Sequence, residues 1–164
     1  MSLLPILLWP DPRLGCVCAP VEAFDDLLRQ RADDMLETMY AARGRGLAAP
    51  QVGILQRFFV MDADWKTGAP RPVIMVNPHV LSVGAELAVA EEGCLSIPRV
   101  LADVRRPVSV RLAWKDLDGS DQEADLTGFE ATCAQHELDH LDGLVTFDRL
   151  DRTARAAAEA AYAA

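Results

Sequence analysis

The chain has 164 residues, 51% of them apolar and 25% charged, with 10 Gly and 10 Pro, which is the size and mix of one globular domain able to bury a core. Lys and Arg number 16 against 25 Asp and Glu, a net charge of −9, so a phosphate backbone is repelled overall and nucleic acid is not an expected partner. No apolar run nears the ~20 residues of a membrane helix, residues 1–10 lack the marks of an export leader, and four cysteines are too few for a disulfide scaffold; a cytoplasmic chain with free thiols and no membrane partner is expected.

No repeat, low-complexity tract or linker divides residues 1–164, which read as a single domain. Over residues 24–42 the apolar positions Leu28, Ala32, Met35 and Met39 recur at helical spacing, and Gly44 follows as a stop. Residues 57–62, 73–77, 80–89 and 107–116 are rich in Val, Leu and Phe and read as strands, with residues 66–72 a surface loop. Asp118-Gly119 before residues 123–126 is a hairpin signal and favours antiparallel pairing. Thr127 and Glu130 match a capping box, so a helix is expected over 128–141. The Ala-rich stretch from Asp151 onward propagates a last helix readily, with an end free to fray. This order of elements points to an α+β fold, with small antiparallel sheets packed around a central helix and a C-terminal helix at the end.

That central helix carries the sharpest chemical signal. In His136-Glu137-Leu138-Asp139-His140, two imidazoles four residues apart share a face and can bind one metal, with Glu137 beside them as a base. Two histidines at this spacing also pack as ordinary core residues, but only three histidines occur in the chain and two are here. A catalytic metal wants a third protein ligand and an open position for water. Cys133 lies on the right face but ~10.5 Å along the axis from His140, which suits a pocket wall better than a ligand. Glu159 stands at the spacing of a third ligand in one class of zinc peptidases; acids are so frequent that chance supplies such a match about 15% of the time, and its Ala neighbours offer no supporting partner. Cys16 and Cys18 have no matching second pair. Cys94 remains, behind a Gly93 that lets backbone approach a ligand closely.

Gly44-Arg45-Gly46-Leu47-Ala48-Ala49-Pro50-Gln51, then Glu92-Gly93-Cys94-Leu95-Ser96, then Gln135-His136-Glu137-Leu138-Asp139-His140, occur in the order and approximate spacing of the three motifs of peptide deformylases. Trp9-Pro10-Asp11-Pro12-Arg13-Leu14 resembles the N-terminal segment of that family, so the likeness covers nearly the whole chain. The resemblance implies one divalent metal held by Cys94, His136 and His140, Fe(II) with Zn, Ni or Co able to substitute. A thiolate and two neutral imidazoles suit such an ion and leave one positive charge on it. The resemblance further implies that Glu137 takes a proton from a water attacking the formyl carbon, and that the Gln51 amide and the Leu95 backbone N–H hold the oxyanion. The implied reaction is hydrolysis of the N-terminal formyl group of N-formylmethionyl peptides and nascent proteins, releasing formate, by a monomer.

Several positions depart from the family pattern. Arg45 stands where relatives usually have an aliphatic residue lining the pocket for the first side chain, and Arg43 where they often have an acid. Arg106 occupies the place of an arginine that pairs with such an acid, so two arginines are expected to face each other without it. The resemblance places Arg45, Gly46, Gly93, Phe129, Thr132 and Cys133 at the substrate, and the pocket positions carried over as Ala90, Phe129, Thr132 and Cys133 are less uniformly aliphatic than usual. Arg45 can cover the pocket with its stem and keep its guanidinium in water. Alternatively Arg43, Arg45, Arg99, Arg105 and Arg106 form a basic cluster that favours a carboxylate, making the chain a deformylase-like amidase for a different, acidic, formylated or acylated substrate. A peptide-binding module with a purely structural metal requires a fourth protein ligand, and none is evident.

Overall fold

A computed structural model describes residues 2–164. Its elements are α1 (Asp26–Ala41), β1 (Gly46–Ala48), β2 (Phe58–Met61), β3 (Val73–Val83), β4 (Leu87–Cys94), β5 (Ile97–Pro107), β6 (Ser109–Lys115), β7 (Asp121–Thr127), α2 (Gly128–Leu141) and α3 (Arg152–Ala163), with short 3-10 turns at Pro12–Gly15, Ala49–Val52 and Thr146–Arg149. Five strands form an antiparallel sheet in the order β1-β2-β3-β6-β7, and β4 and β5 form a separate two-stranded ribbon. This is the expected α+β architecture with α2 at its centre.

The sheet is covered on both faces because β2 is apolar on both. Phe58 and Val60 pack with Leu28, Ala32, Met35 and Met39 of α1, whereas Phe59 and Met61 pack with Ala131, Ala134, Leu138 and Leu141 of α2. All four β2 residues are buried, and the strand reads as a continuous apolar run for that reason. A third cluster, Leu14, Ile97, Val100, Val145 and Phe147, seats the ribbon against the C-terminal elements.

α1 starts where the Asp25 side chain accepts from the Leu28 N–H at 3.0 Å. At its end the left-handed residue is Arg43, at φ 59°, and not the Gly44 expected from sequence. Gly44 instead lies close under Leu95, since a Cβ there would stand 2.7 Å from Leu95 Cδ1 and displace that side chain. The stretch 80–89 is not one strand. The chain leaves β3 at Val83 and turns through residues 84–86 into β4, which pairs with β5 alone. Gly84 and Glu86 mark that turn, and the apolar residues on either side of it make the stretch read as one strand. β1 and β5 were not foreseen: β1 is three residues long, and β5 places Arg106 at an inward position that a period-of-two reading assigns to an apolar residue.

α2 begins at Thr127 as expected, but the Thr127 hydroxyl makes no cap bond and the anticipated capping box is not formed. The helix is entered through Gly128 at φ 58°, a left-handed step in place of the extended-to-helix step that such a box needs. α3 starts on Asp151, which accepts from the Ala154 N–H at 2.8 Å. It is helical to Ala163 and docked by Tyr162, whose hydroxyl donates to the Trp9 carbonyl at 2.8 Å and whose ring meets Trp9 edge-on at 5.9 Å. Among the described residues no helix is long and apolar enough to cross a membrane.

Candidate functional site

Three elements deliver the candidate metal ligands. His136 and His140 lie one turn apart on the buried face of α2, their ring centroids 5.0 Å apart. Cys94 ends β4 just before the two-residue turn Leu95-Ser96, and its Sγ comes within 3.4 Å of His140 Nε2. The three candidate ligand atoms all lie within 4.8 Å of one another. Bonds of about 2.0 to 2.3 Å at tetrahedral angles put ligand atoms roughly 3.5 Å apart, so a small contraction suffices to hold one ion.

The surroundings fit a metal rather than a packed histidine pair. His136 Nδ1 lies 3.0 Å from Glu92 Oε1, which orients the ring and leaves Nε2 for the cluster. Burial holds His140 well below the usual histidine range, keeping the neutral, ligating form, and its Nδ1 is buried without a hydrogen-bond partner. Burial pushes the Glu137 carboxyl up to about 7, and Glu137 Oε2 is likewise buried without a partner. A carboxylate poised there suits proton transfer near neutral pH. A cation beside it would draw its pKa back down.

Behind the ligands runs a buried charge network. Arg106 donates to both Glu92 oxygens, at 2.7 and 3.0 Å, and to Asp139 at 3.0 Å, while Arg149 closes on the other side of Asp139. Burial by itself would raise the Glu92 carboxyl, but the bonds from His136 and Arg106 hold it below its usual range. Arg106 therefore does not face Arg43 as expected: its acids come from the second and third motifs. Glu92, Asp139 and Arg149 went unassigned in the sequence reading, although two of them lie inside quoted motifs.

Gln51 is buried, accepts from the Ala48 N–H at 2.9 Å and turns its amide Nε2 toward Ser96 Oγ at 3.0 Å and Cys94 Sγ at 3.7 Å. This orientation faces its N–H donors to the ligand cluster. A cleft of about 580 Å³ opens onto the triad, and Glu137, Gln51 and Leu95 are on its wall. So are six of the seven positions anticipated for the pocket, Arg45, Gly46, Gly93, Phe129, Thr132 and Cys133. β1 passes so close to Glu137 that a Cβ on Gly46 would lie 2.5 Å from Oε1 and 3.0 Å from Cys133 Sγ. Cys133 is a wall residue: its buried thiol donates to the Arg45 carbonyl at 3.5 Å, and burial raises its pKa well above the usual value.

Other candidates fall away. Glu159 is on α3, bonded to Arg155 at 2.8 Å and apart from the cluster. Cys16 and Cys18 are free thiols. Ala90 borders a second hollow on the far side of Phe129 and Thr132, not the main cleft. Arg105 is likewise absent from the cleft wall, whereas Lys66, read only as loop, is on it.

A profile of the family described as polypeptide deformylase matches residues 3–156. A peptide deformylase of Rhizobium meliloti is 43% identical over 155 residues, 94% of this chain and 89% of that protein. One from Alkalilimnicola ehrlichii is 49% identical over 156 residues, 94% of this chain and 86% of that protein. The crystal structure of peptide deformylase from Thermotoga maritima superposes with a TM-score of 0.86 at 41% identity, covering 92% of this chain and 99% of that one.

Proposed function

The chain belongs to the polypeptide deformylase family, and from that premise we propose that Cys94, His136 and His140 hold one divalent cation, Fe(II) in the cell, with Zn, Ni or Co able to replace it. The enzyme is a metal-dependent hydrolase that removes the N-formyl group from nascent peptides, and the likeness to deformylases does not favour a different amidase. The convergence of three ligand atoms within 4.8 Å, beside a buried glutamate, carries the site assignment.

When bound, the cation supplies Lewis acidity and one net positive charge after the Cys94 thiolate is counted. Glu137 accepts the proton of the water that attacks the formyl carbon and delivers it to the departing amine, leaving formate and a free N-terminus. The Gln51 amide and the Leu95 N–H donate to the oxygen that becomes negative, an interaction worth about 3 kcal/mol per donor. Glu92 fixes the His136 ring, and Arg106 fixes Glu92. Gly46 and Gly93 leave room for the peptide backbone, and Arg45, Phe129, Thr132 and Cys133 border the first side chain. Residues 1–164 act as one catalytic domain, as a monomer in the cytoplasm; the free cysteines support a reducing compartment.

The test is formate release from formyl-Met peptides by anaerobically iron-loaded protein. Release is expected from the native chain, with a loss of about 10² to 10⁴-fold in Glu137→Ala. Retention of full activity by Glu137→Ala, or none in the native chain with metal bound, overturns the assignment.

A further inference from the structure

Arg43, Arg45, Lys66 and Arg99 line the outer part of the cleft, and among the described residues none of the four reaches an acid in an ion pair. Most of the chain's other Lys and Arg do hold an acid, as an excess of nine negative charges makes easy. The lack of partners is therefore local. On the cleft wall Glu92 is already bound by Arg106 and His136, Glu137 sits at the triad, and Glu91 is the exposed acid, which leaves the mouth net positive.

Backbone conformation singles out two of these cations. Arg43 and Arg99 have φ of 59° and 70°, and the other left-handed non-glycine is Asn77, a residue type that tolerates the region. Opposite Gly93 stands Leu101 and opposite Cys94 stands Ile97, so residues 98–100 bulge out of the ribbon and bring Arg99 to the cleft. Both arginines thus occupy unfavourable backbone positions where side chains converge on one opening. Arg45 lies between them and the triad: its guanidinium is 4.6 Å from the Phe129 ring centre, and its Nε is buried with no hydrogen-bond acceptor. The charges are close enough to act on one another, since Lys66 is held below the usual lysine range by burial and then by Arg45 and Arg43.

The wall closest to the triad is Gly46, Cys133 and Glu137, whereas Arg43, Lys66 and Arg99 are exposed further out. A formylated residue whose formyl carbon is at the triad has its own side chain against the inner wall. The residues that follow it then pass the cations.

We propose that the exposed cations Arg43, Lys66 and Arg99 select formylated peptides that carry an Asp or Glu side chain at the second or third residue, counting the formylated one as the first, with Arg45 left at the first side chain. This rests on the deformylase reading and adds a charge preference to it. Guanidinium and ammonium donors without acceptors bind a carboxylate at little desolvation cost because they are partly in water, and each exposed pair adds modestly.

The experiment compares metal-loaded enzyme on formyl-Met-Glu, formyl-Met-Gln and formyl-Met-Lys peptides, with the same three side chains also placed at the third residue. KM is expected to be about tenfold lower for Glu than for Gln, higher again for Lys, with kcat alike. The Glu advantage shrinks at about 0.5 M salt, where the Debye length is near 4 Å. It is lost in the triple variant Arg43→Gln, Lys66→Gln, Arg99→Gln. Calorimetric titration with the uncleavable acetyl-Met-Glu and acetyl-Met-Gln peptides should show the same ranking without turnover. Equal KM for Glu and Gln peptides overturns the charge preference and leaves deformylation standing, as does an advantage that survives the triple variant. Salt-sensitive binding of an RNA oligomer with no discrimination between the peptides also overturns it, in favour of a nucleic-acid contact. No formate from any formyl peptide overturns the deformylase reading together with this one.

Discussion

Two sets of arginines, one behind the candidate ligands and one at the cleft mouth, stand in opposite circumstances. Arg106 is buried and satisfied, donating twice to Glu92 and once to Asp139, and through Glu92 it reaches a candidate metal ligand. Among the described residues Arg43, Arg45 and Arg99 reach no acid in an ion pair. A buried ion pair contributes little net stability because desolvation offsets its attraction, so the value of the first set is orientation. The second set keeps its charge available. One residue type therefore serves to fix a ligand inside and to attract a substrate outside, and the presence or absence of a carboxylate decides which.

The comparison can be broken hardest from the inside. Arg106→Ala leaves buried Glu92 with His136 alone and Asp139 with Arg149 alone, and a loss of about 3 kcal/mol in urea unfolding is expected. A loss below 1 kcal/mol would mean that water reaches both acids. Glu92→Gln keeps the shape but removes the charge that orients His136, so metal affinity, read by competition with a chelator, should fall about 10 to 100-fold with a much smaller change in stability. An unchanged affinity would show that α2 holds the ring without help. At the mouth the sign reverses: Arg43→Gly relieves a left-handed backbone and should stabilise the protein by up to about 1 kcal/mol, seen as a higher Tm. Destabilisation would mean that the Arg43 side chain makes contacts that outweigh its strain.

Local periodicity made α1, α2, α3 and the β6–β7 hairpin legible, because each depends on neighbours within a few residues. His136, Glu137 and His140 were legible for the same reason. Cys94 was reached through likeness to known motifs, since nothing near it in sequence indicates that β4 ends at His140. The Glu92, Arg106 and Asp139 network is long-range: its members are separated by 14 and 33 residues, and a charged residue on a strand reads as exposed unless its partners are known. Lys66 was hidden by its loop, and the bulge at Arg99 by the absence of a glycine at residues 98–100 to mark a left-handed step.

β2 is a strand of four residues whose alternate side chains belong to different cores, Phe58 and Val60 to the α1 side, Phe59 and Met61 to the α2 side. Neither layer can loosen without exposing the shared strand, so partial opening that frees the catalytic helix alone is disfavoured. The two halves are bound into a single cooperative unit, and a destabilising change beneath α1, remote from any ligand, is felt at the metal as a larger fraction of wholly unfolded molecules rather than as a distorted site.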